Sequence, residues 1–206
     1  MQRDPQDNAR DLYRTAATQG GYFTAAQARQ AGYAYSQHHF HVSRGNWLRV
    51  GHGLFRLRDF PSSEREDLII WSLWSRNQKG APQAVVSHDT ALTVHNLSDV
   101  MPGRVHLTVP KLFRKRVPPG CVLHKADIAP ENIELRTGYR VTTPLRTLID
   151  VAGSPLSQEH LDRAVRDALE HGLVRRSVLE TVLCAPETRQ RLDRALAAVR
   201  QQELST

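Results

Sequence analysis

Gly45-Asn-Trp-Leu-Arg-Val-Gly-His-Gly-Leu-Phe-Arg-Leu57 is the stretch on which the fold of the N-terminal part of the chain turns. Trp47–Val50 and Leu54–Leu57 each alternate with period two, and Gly51-His52-Gly53 between them suits a tight turn, so the stretch reads as a β-hairpin. The alternation sends Leu48, Val50, Phe55 and Leu57 toward a core, and Trp47, Arg49 and Arg56 outward. Three short helices precede the hairpin. Asp7 to Gln19 places Leu12, Ala16 and Ala17 on one side and ends at Gly20-Gly21. Thr24-Ala-Ala-Gln27 is a capping box, in which hydroxyl and amide each satisfy an orphan backbone N–H, and its helix stops at Gly32. Ser36 is expected to cap a third helix through about Arg44, with Gly45-Asn46 as its stop.

Three helices and a hairpin in this order predict a winged helix-turn-helix, whose third helix enters the major groove while the wing touches backbone or minor groove. Such a helix needs a hydrophobic anchor on one face and hydrogen-bonding groups on the other. Phe40 is the expected anchor, with Val42 as a lesser contact, and Ser36, Gln37, His38, His41 and Arg44 are the expected DNA-facing residues. Arg49, His52 and Arg56 are the expected contacts of the wing. From Arg44 to Arg58 the chain carries Arg44, Arg49, Arg56 and Arg58 and no acid, as a surface for phosphate requires.

Asp59-Phe-Pro-Ser-Ser63 punctuates the chain, so residues 1–60 are read as the DNA-binding domain and 61–206 as an α+β domain with a small sheet and several helices. Helices are expected over Glu64–Gln78, Thr90–Asn96, Pro144–Ala152, Ser157–His171, Ser177–Leu183 and Thr188–Glu203. Strands are expected at Val105–Val109, Cys121–His124, Ile133–Leu135 and Tyr139–Val141.

The 206 residues carry a net charge of +7, which favours a polyanionic partner. Cys121 and Cys184 form no CxxC, no polar-flanked apolar leader opens the chain, and no run spans a bilayer, so a reducing cytoplasm and no membrane are expected.

A second basic cluster, Lys111, Arg114, Lys115 and Arg116, stands between a strand and Pro118-Pro119-Gly120, and therefore on a loop. Three readings stay open for it: a patch adding phosphate contacts, a docking surface for an acidic protein, or a solvated charged loop. Enzyme readings find little support. Ser87-His88-Asp89 has the residue types of a hydrolase triad, but adjacent residues rarely form that relay and no G-x-S-x-G surrounds the serine, so Ser87 is expected as an N-cap with Asp89 in the first turn. His38 and His41 have i,i+3 spacing without a Cys or carboxylate to complete a metal set, so neither metal nor cofactor is expected. Arg146 and Asp150 are expected to pair across one helical turn.

Several stretches taken in order resemble the AbiEi-type antitoxins of bacterial type IV toxin–antitoxin systems. They are Gly21–Ala28, Gly45–Leu57, Val86-Ser-His-Asp-Thr-Ala-Leu92, Leu97–Pro102, Val105–Pro110 and Val141-Thr-Thr-Pro-Leu-Arg-Thr-Leu-Ile-Asp150. The resemblance implies a non-enzymatic antitoxin that represses its own operon through the winged helix. It also implies a C-terminal domain that neutralises a nucleotidyltransferase-like toxin encoded next door. The expected partners are that toxin and the chain's own promoter duplex with inverted repeats, the chain being a monomer in solution or a dimer on DNA. The alternatives are a stand-alone winged-helix regulator without a toxin, or a nucleic-acid-processing enzyme.

Overall fold

The carboxylate of Asp4 accepts a hydrogen bond from the Gln6 amide at 2.8 Å, and Pro5 follows at the first helical position, so α1 starts there and runs Pro5–Ala17. Its Leu12 and Ala16 turn inward. Gly20 and Gly21 then reverse the chain at φ of +60° and +86°, and a Cβ on Gly21 would stand 2.6 Å from Phe60, so only glycine fits. β1 (Tyr22–Thr24) leads into α2 (Ala25–Gln30) through the capping box expected from the sequence. Thr24 Oγ1 accepts from Gln27 N at 3.2 Å, and Gln27 Oε1 accepts from Thr24 N at 2.9 Å. α3 (Tyr35–Ser43) begins one residue before the expected cap: Ser36 lies in its first turn, and Gln37 reaches back to accept from Ala34 N at 2.8 Å.

The computed structural model describes residues 4–204. It is α+β and divides into two units, one holding the described residues up to Ala84 together with Leu135–Tyr139, the other Val85–Glu134 and the residues from Arg140 onward.

In the first unit β2 (Trp47–Gly51) and β3 (Leu54–Leu57) form the expected hairpin, and β1 adds to it in a three-stranded antiparallel sheet ordered β1-β3-β2. The pairing sets Trp47 opposite Leu57 and Arg49 opposite Phe55, with a bulge between Arg49 and Gly51. The phase of β2 is the reverse of the alternation expected. Trp47 is buried, whereas Leu48 and Val50 are 37% and 38% exposed. Trp47 closes an aromatic core, with its ring 4.9 Å from Phe23 and 5.7 Å from Phe55, and its large apolar area outweighs that of a leucine or valine. One residue of phase turns every side chain over.

The other face of the sheet carries Tyr22 and Leu54, which share a core with Ile69 and Leu73 of α4 (Glu66–Trp74). The first unit therefore runs past the Pro61 punctuation to Ala84. Ser75 closes α4 and its Oγ accepts from the amides of Gln83 and Ala84 at 3.0 and 2.9 Å.

The second unit contains β4 (Val85–Val86), α5 (His88–Val94), β5 (Val105–Val109), β6 (Cys121–Lys125), β7 (Ile133–Arg136), β8 (Tyr139–Thr142), α6 (Pro144–Ala152), α7 (Gln158–Glu170), α8 (Arg176–Thr181) and α9 (Pro186–Glu203); residues 135–139 of the β7 and β8 strands belong to the first unit. The sheet order is β6-β5-β4-β8-β7, with β4 antiparallel to β5 and parallel to β8, and β5 parallel to β6. Thr143 caps α6 by accepting from Arg146 N, and Pro144 takes its first position. Leu148, Leu161, Val165, Leu192 and Leu196 fuse α6, α7 and α9 into one apolar core. Among the described residues no helix is long and apolar enough to cross a membrane.

Candidate nucleic-acid interface

Residues 12–58 contain no aspartate or glutamate, and six arginines. α3 and the β2–β3 hairpin come from this stretch, and their facing sides enclose a groove of about 460 Å³ lined by Tyr35, His39, Val42, Arg49 and His52 among others.

The orientation of α3 differs from the one expected. His38 is buried, and Phe40 is 52% exposed. The His38 ring sits 5.5 Å from Trp47 and 5.6 Å from Phe55, and its Nε2 is 3.2 Å from the Tyr33 carbonyl. His38 is thus the anchor of the helix, and Phe40 is not. His41 is half-buried and stacks on Trp47 at 4.6 Å and 17°, with its Nδ1 3.2 Å from Asn46 Nδ2. Burial, then the proximity of His38, lowers its pKa below the ordinary histidine value. Trp47 points inward, so the helix docks on it through the stacked ring of His41 and the edge-on ring of His38, where a phenyl anchor was expected.

The outward face of α3 consequently carries Ser36, Gln37, Phe40, Ser43 and Arg44, all exposed. The Arg44 guanidinium lies over the Phe40 ring at 5.4 Å. Across the groove Arg49 and His52 are exposed.

Arg56 is not on this surface, contrary to expectation. Its side chain is 11% exposed, and its Nη2 donates to the carbonyls of Phe60 and Pro61 at 2.7 and 3.1 Å and to Glu66 Oε1 at 3.4 Å. Tyr22 OH donates to the other carboxylate oxygen of Glu66 at 2.6 Å. Burial, reinforced by the Glu66 hydrogen bond and charge, pushes the Tyr22 pKa up to about 12. Arg56 thereby ties the sheet to the chain leading into α4. Arg58 is likewise engaged, its Nε donating to the Gly45 carbonyl.

Lys111, Arg114, Lys115 and Arg116 belong to the second unit, on the loop joining the parallel strands β5 and β6. Phe113 is buried and roots the loop, and Leu112 is exposed. Lys111 Nζ is 3.9 Å from Asp127 Oδ2, an exposed pair of little energetic weight.

Ser87-His88-Asp89 proves to be part of a histidine cluster that the linear sequence conceals. His88 stacks on His124 with ring centroids 3.5 Å apart and planes at 11°, and His124 Nε2 is 3.2 Å from His106 Nδ1. Ser87 stands at the N-cap of α5 but makes no capping hydrogen bond. Its Oγ instead accepts from Thr108 Oγ1 at 2.8 Å and lies 2.9 Å from His88 Nδ1. His88 takes a φ of +50°, a left-handed conformation uncommon for any residue but glycine. Burial foremost, then the like charges of His124 and His106, pushes its pKa down to about 3. Among the described residues no group of three His, Cys, Asp or Glu could hold a metal ion. Arg146 Nε donates to Asp150 Oδ1 at 2.8 Å, the helical pair expected from their spacing.

The family model of the AbiEi antitoxin C-terminal domain matches residues 84–198. The chain belongs to the AbiEi antitoxin family. The match begins within one residue of the second unit and runs through it to residue 198, taking in both the basic loop and the histidine cluster. The crystal structure of the RV2827C protein from Mycobacterium tuberculosis resembles this AbiEi chain with a TM-score of 0.58 over 97% of this chain and 79% of that one. At 17% identity that likeness concerns the fold alone. No curated protein matches the chain.

Proposed function

We propose that this antitoxin is also a DNA-binding autorepressor. In this reading residues 1–60 act as a winged helix-turn-helix, with α3 as recognition helix and the β2–β3 hairpin as wing. The observation that carries it is the acid-free surface of α3 and the hairpin, with Arg44 exposed on the outward face of α3 and Arg49 and His52 lining the groove on the hairpin side. Ser36, Gln37 and Arg44 face base edges in the major groove, and Arg49 and His52 face phosphate. His38, His41 and Arg56 build the module and do not touch DNA. Lys111, Arg114, Lys115 and Arg116 add phosphate contacts from the antitoxin domain.

The operator is the chain's own promoter, with inverted repeats occupied by two copies. The partner neutralised is a nucleotidyltransferase-like toxin, and this chain works by binding, without catalysis. Replacing Arg44 and Arg49 with alanine tests the reading. Binding to a duplex from upstream of the gene should weaken, and the salt slope of log K should shrink by about 0.9 for each phosphate that is no longer neutralised. Unchanged affinity and slope would reject the surface.

A further inference from the structure

Phe40 stands roughly 200° around α3 from the buried anchor His38 at 100° per residue, near the centre of the helix's outward face. Two serines flank it, Ser36 four residues before and Ser43 three after, so the ring stands above these two neighbours. Ser43 Oγ is turned away from that surface, donating to the Phe40 carbonyl at 2.9 Å. The Arg44 guanidinium lies over the ring at 5.4 Å, and the His41 ring meets it edge-on at 5.5 Å. The ring is therefore a fixed apolar knob in the middle of hydrogen-bonding groups. Among the described residues it joins neither the cluster closed by Trp47, Phe23 and Phe55 on one side of the sheet nor that of Tyr22, Leu54, Ile69 and Leu73 on the other.

From this geometry we infer that Phe40 is a specificity-determining residue that reads the C5-methyl group of a thymine in the major groove. The inference rests on α3 being the recognition helix. The major groove offers one apolar mark, the thymine methyl, and an aromatic side chain is among the groups that meet it. Gln37, one turn back, and Arg44, one turn on, bracket the knob with donors suited to adenine and guanine edges. The expected site thus places a thymine between base pairs read by hydrogen bonds. The cation over the ring limits its swing, so the contact discriminates by position and not merely by composition.

The test begins with selection of binding sites for the full chain from a random duplex pool. Each thymine of the selected site is then replaced singly by deoxyuridine, which removes only the methyl. Affinity is measured for the wild type, Phe40→Ala and Gln37→Ala. The wild type should bind one or two deoxyuridine duplexes about fourfold more weakly, the change that burial of one methyl group produces. Phe40→Ala should bind thymine and deoxyuridine duplexes equally at those positions, while Gln37→Ala keeps the methyl dependence. Because Phe40 is half exposed, its removal should leave the circular dichroism spectrum unchanged. If a site is selected and Gln37→Ala weakens it, but no thymine is methyl-dependent or Phe40→Ala retains the dependence, the assignment of Phe40 is overturned and the DNA reading stands. If no sequence is selected, or neither α3 variant affects the selected site, the DNA reading falls and the inference with it.

Discussion

Acid should weaken this protein through His88, and the size of the effect follows from its surroundings. His88 is stacked at 3.5 Å on His124 and is held to a pKa of about 3 against 6.5 for the free side chain. Its folded-state pKa is depressed, so the unfolded chain takes the proton first. Stability is intact above about pH 6.5 and falls as the pH drops from there toward 3. At pH 5 the unfolded histidine is charged and the folded one neutral, a loss of about 2 kcal/mol relative to pH 7.5. His106 and His124 are shifted in the same direction, chiefly by burial, and increase the loss. The control is His88→Asn, which keeps a group able to pair with Ser87 and is better suited to the left-handed backbone. All three tryptophans, Trp47, Trp71 and Trp74, lie in the first unit, so unfolding of the antitoxin domain should be followed by far-ultraviolet circular dichroism in urea. The wild type should lose about 2 kcal/mol more than His88→Asn between pH 7.5 and 5. Equal losses would refute the buried, neutral state assigned to His88.

Arg49 and Arg56 should separate cleanly in urea unfolding. Arg49→Ala changes stability by no more than about 0.5 kcal/mol, whereas Arg56→Ala removes charge-assisted hydrogen bonds to Phe60 and Pro61 and costs about 2–3 kcal/mol. Phe23→Ala empties the centre of the aromatic core, where the side chain is fully buried, and should cost about 3–5 kcal/mol, read from the tryptophan fluorescence transition.

Local chemistry was legible wherever a short-range rule decided the outcome. The Thr24–Gln27 capping box, the glycine-flanked hairpin turn, Pro144 after the Thr143 cap and the Arg146–Asp150 pair all stand where their spacing places them. Phase was not legible. β2 offered Leu48 and Val50 on one face and Trp47 on the other, and α3 offered Phe40 against His38. The choice was made by Phe23 and Phe55, whose rings are brought to Trp47 by strand pairing. A β1 of three residues and a β4 of two are too short to show a period. The histidine cluster was hidden because His88, His106 and His124 come from three elements, with no spacing rule connecting them. Arg56 illustrates the same limit, since a basic residue in an alternating strand reads as solvent-facing until its carbonyl partners are in place.

The most direct measurement of the central claim is fluorescence anisotropy of the full chain with the duplex just upstream of its gene, beside a scrambled duplex, across a salt series. Binding to the native duplex should survive moderate salt while binding to the scrambled duplex disappears, with a salt slope that shrinks in the Arg44→Ala and Arg49→Ala variants. Equal, weak binding to both duplexes that vanishes with salt would contradict the claim, leaving the charge of +7 as a non-specific footprint.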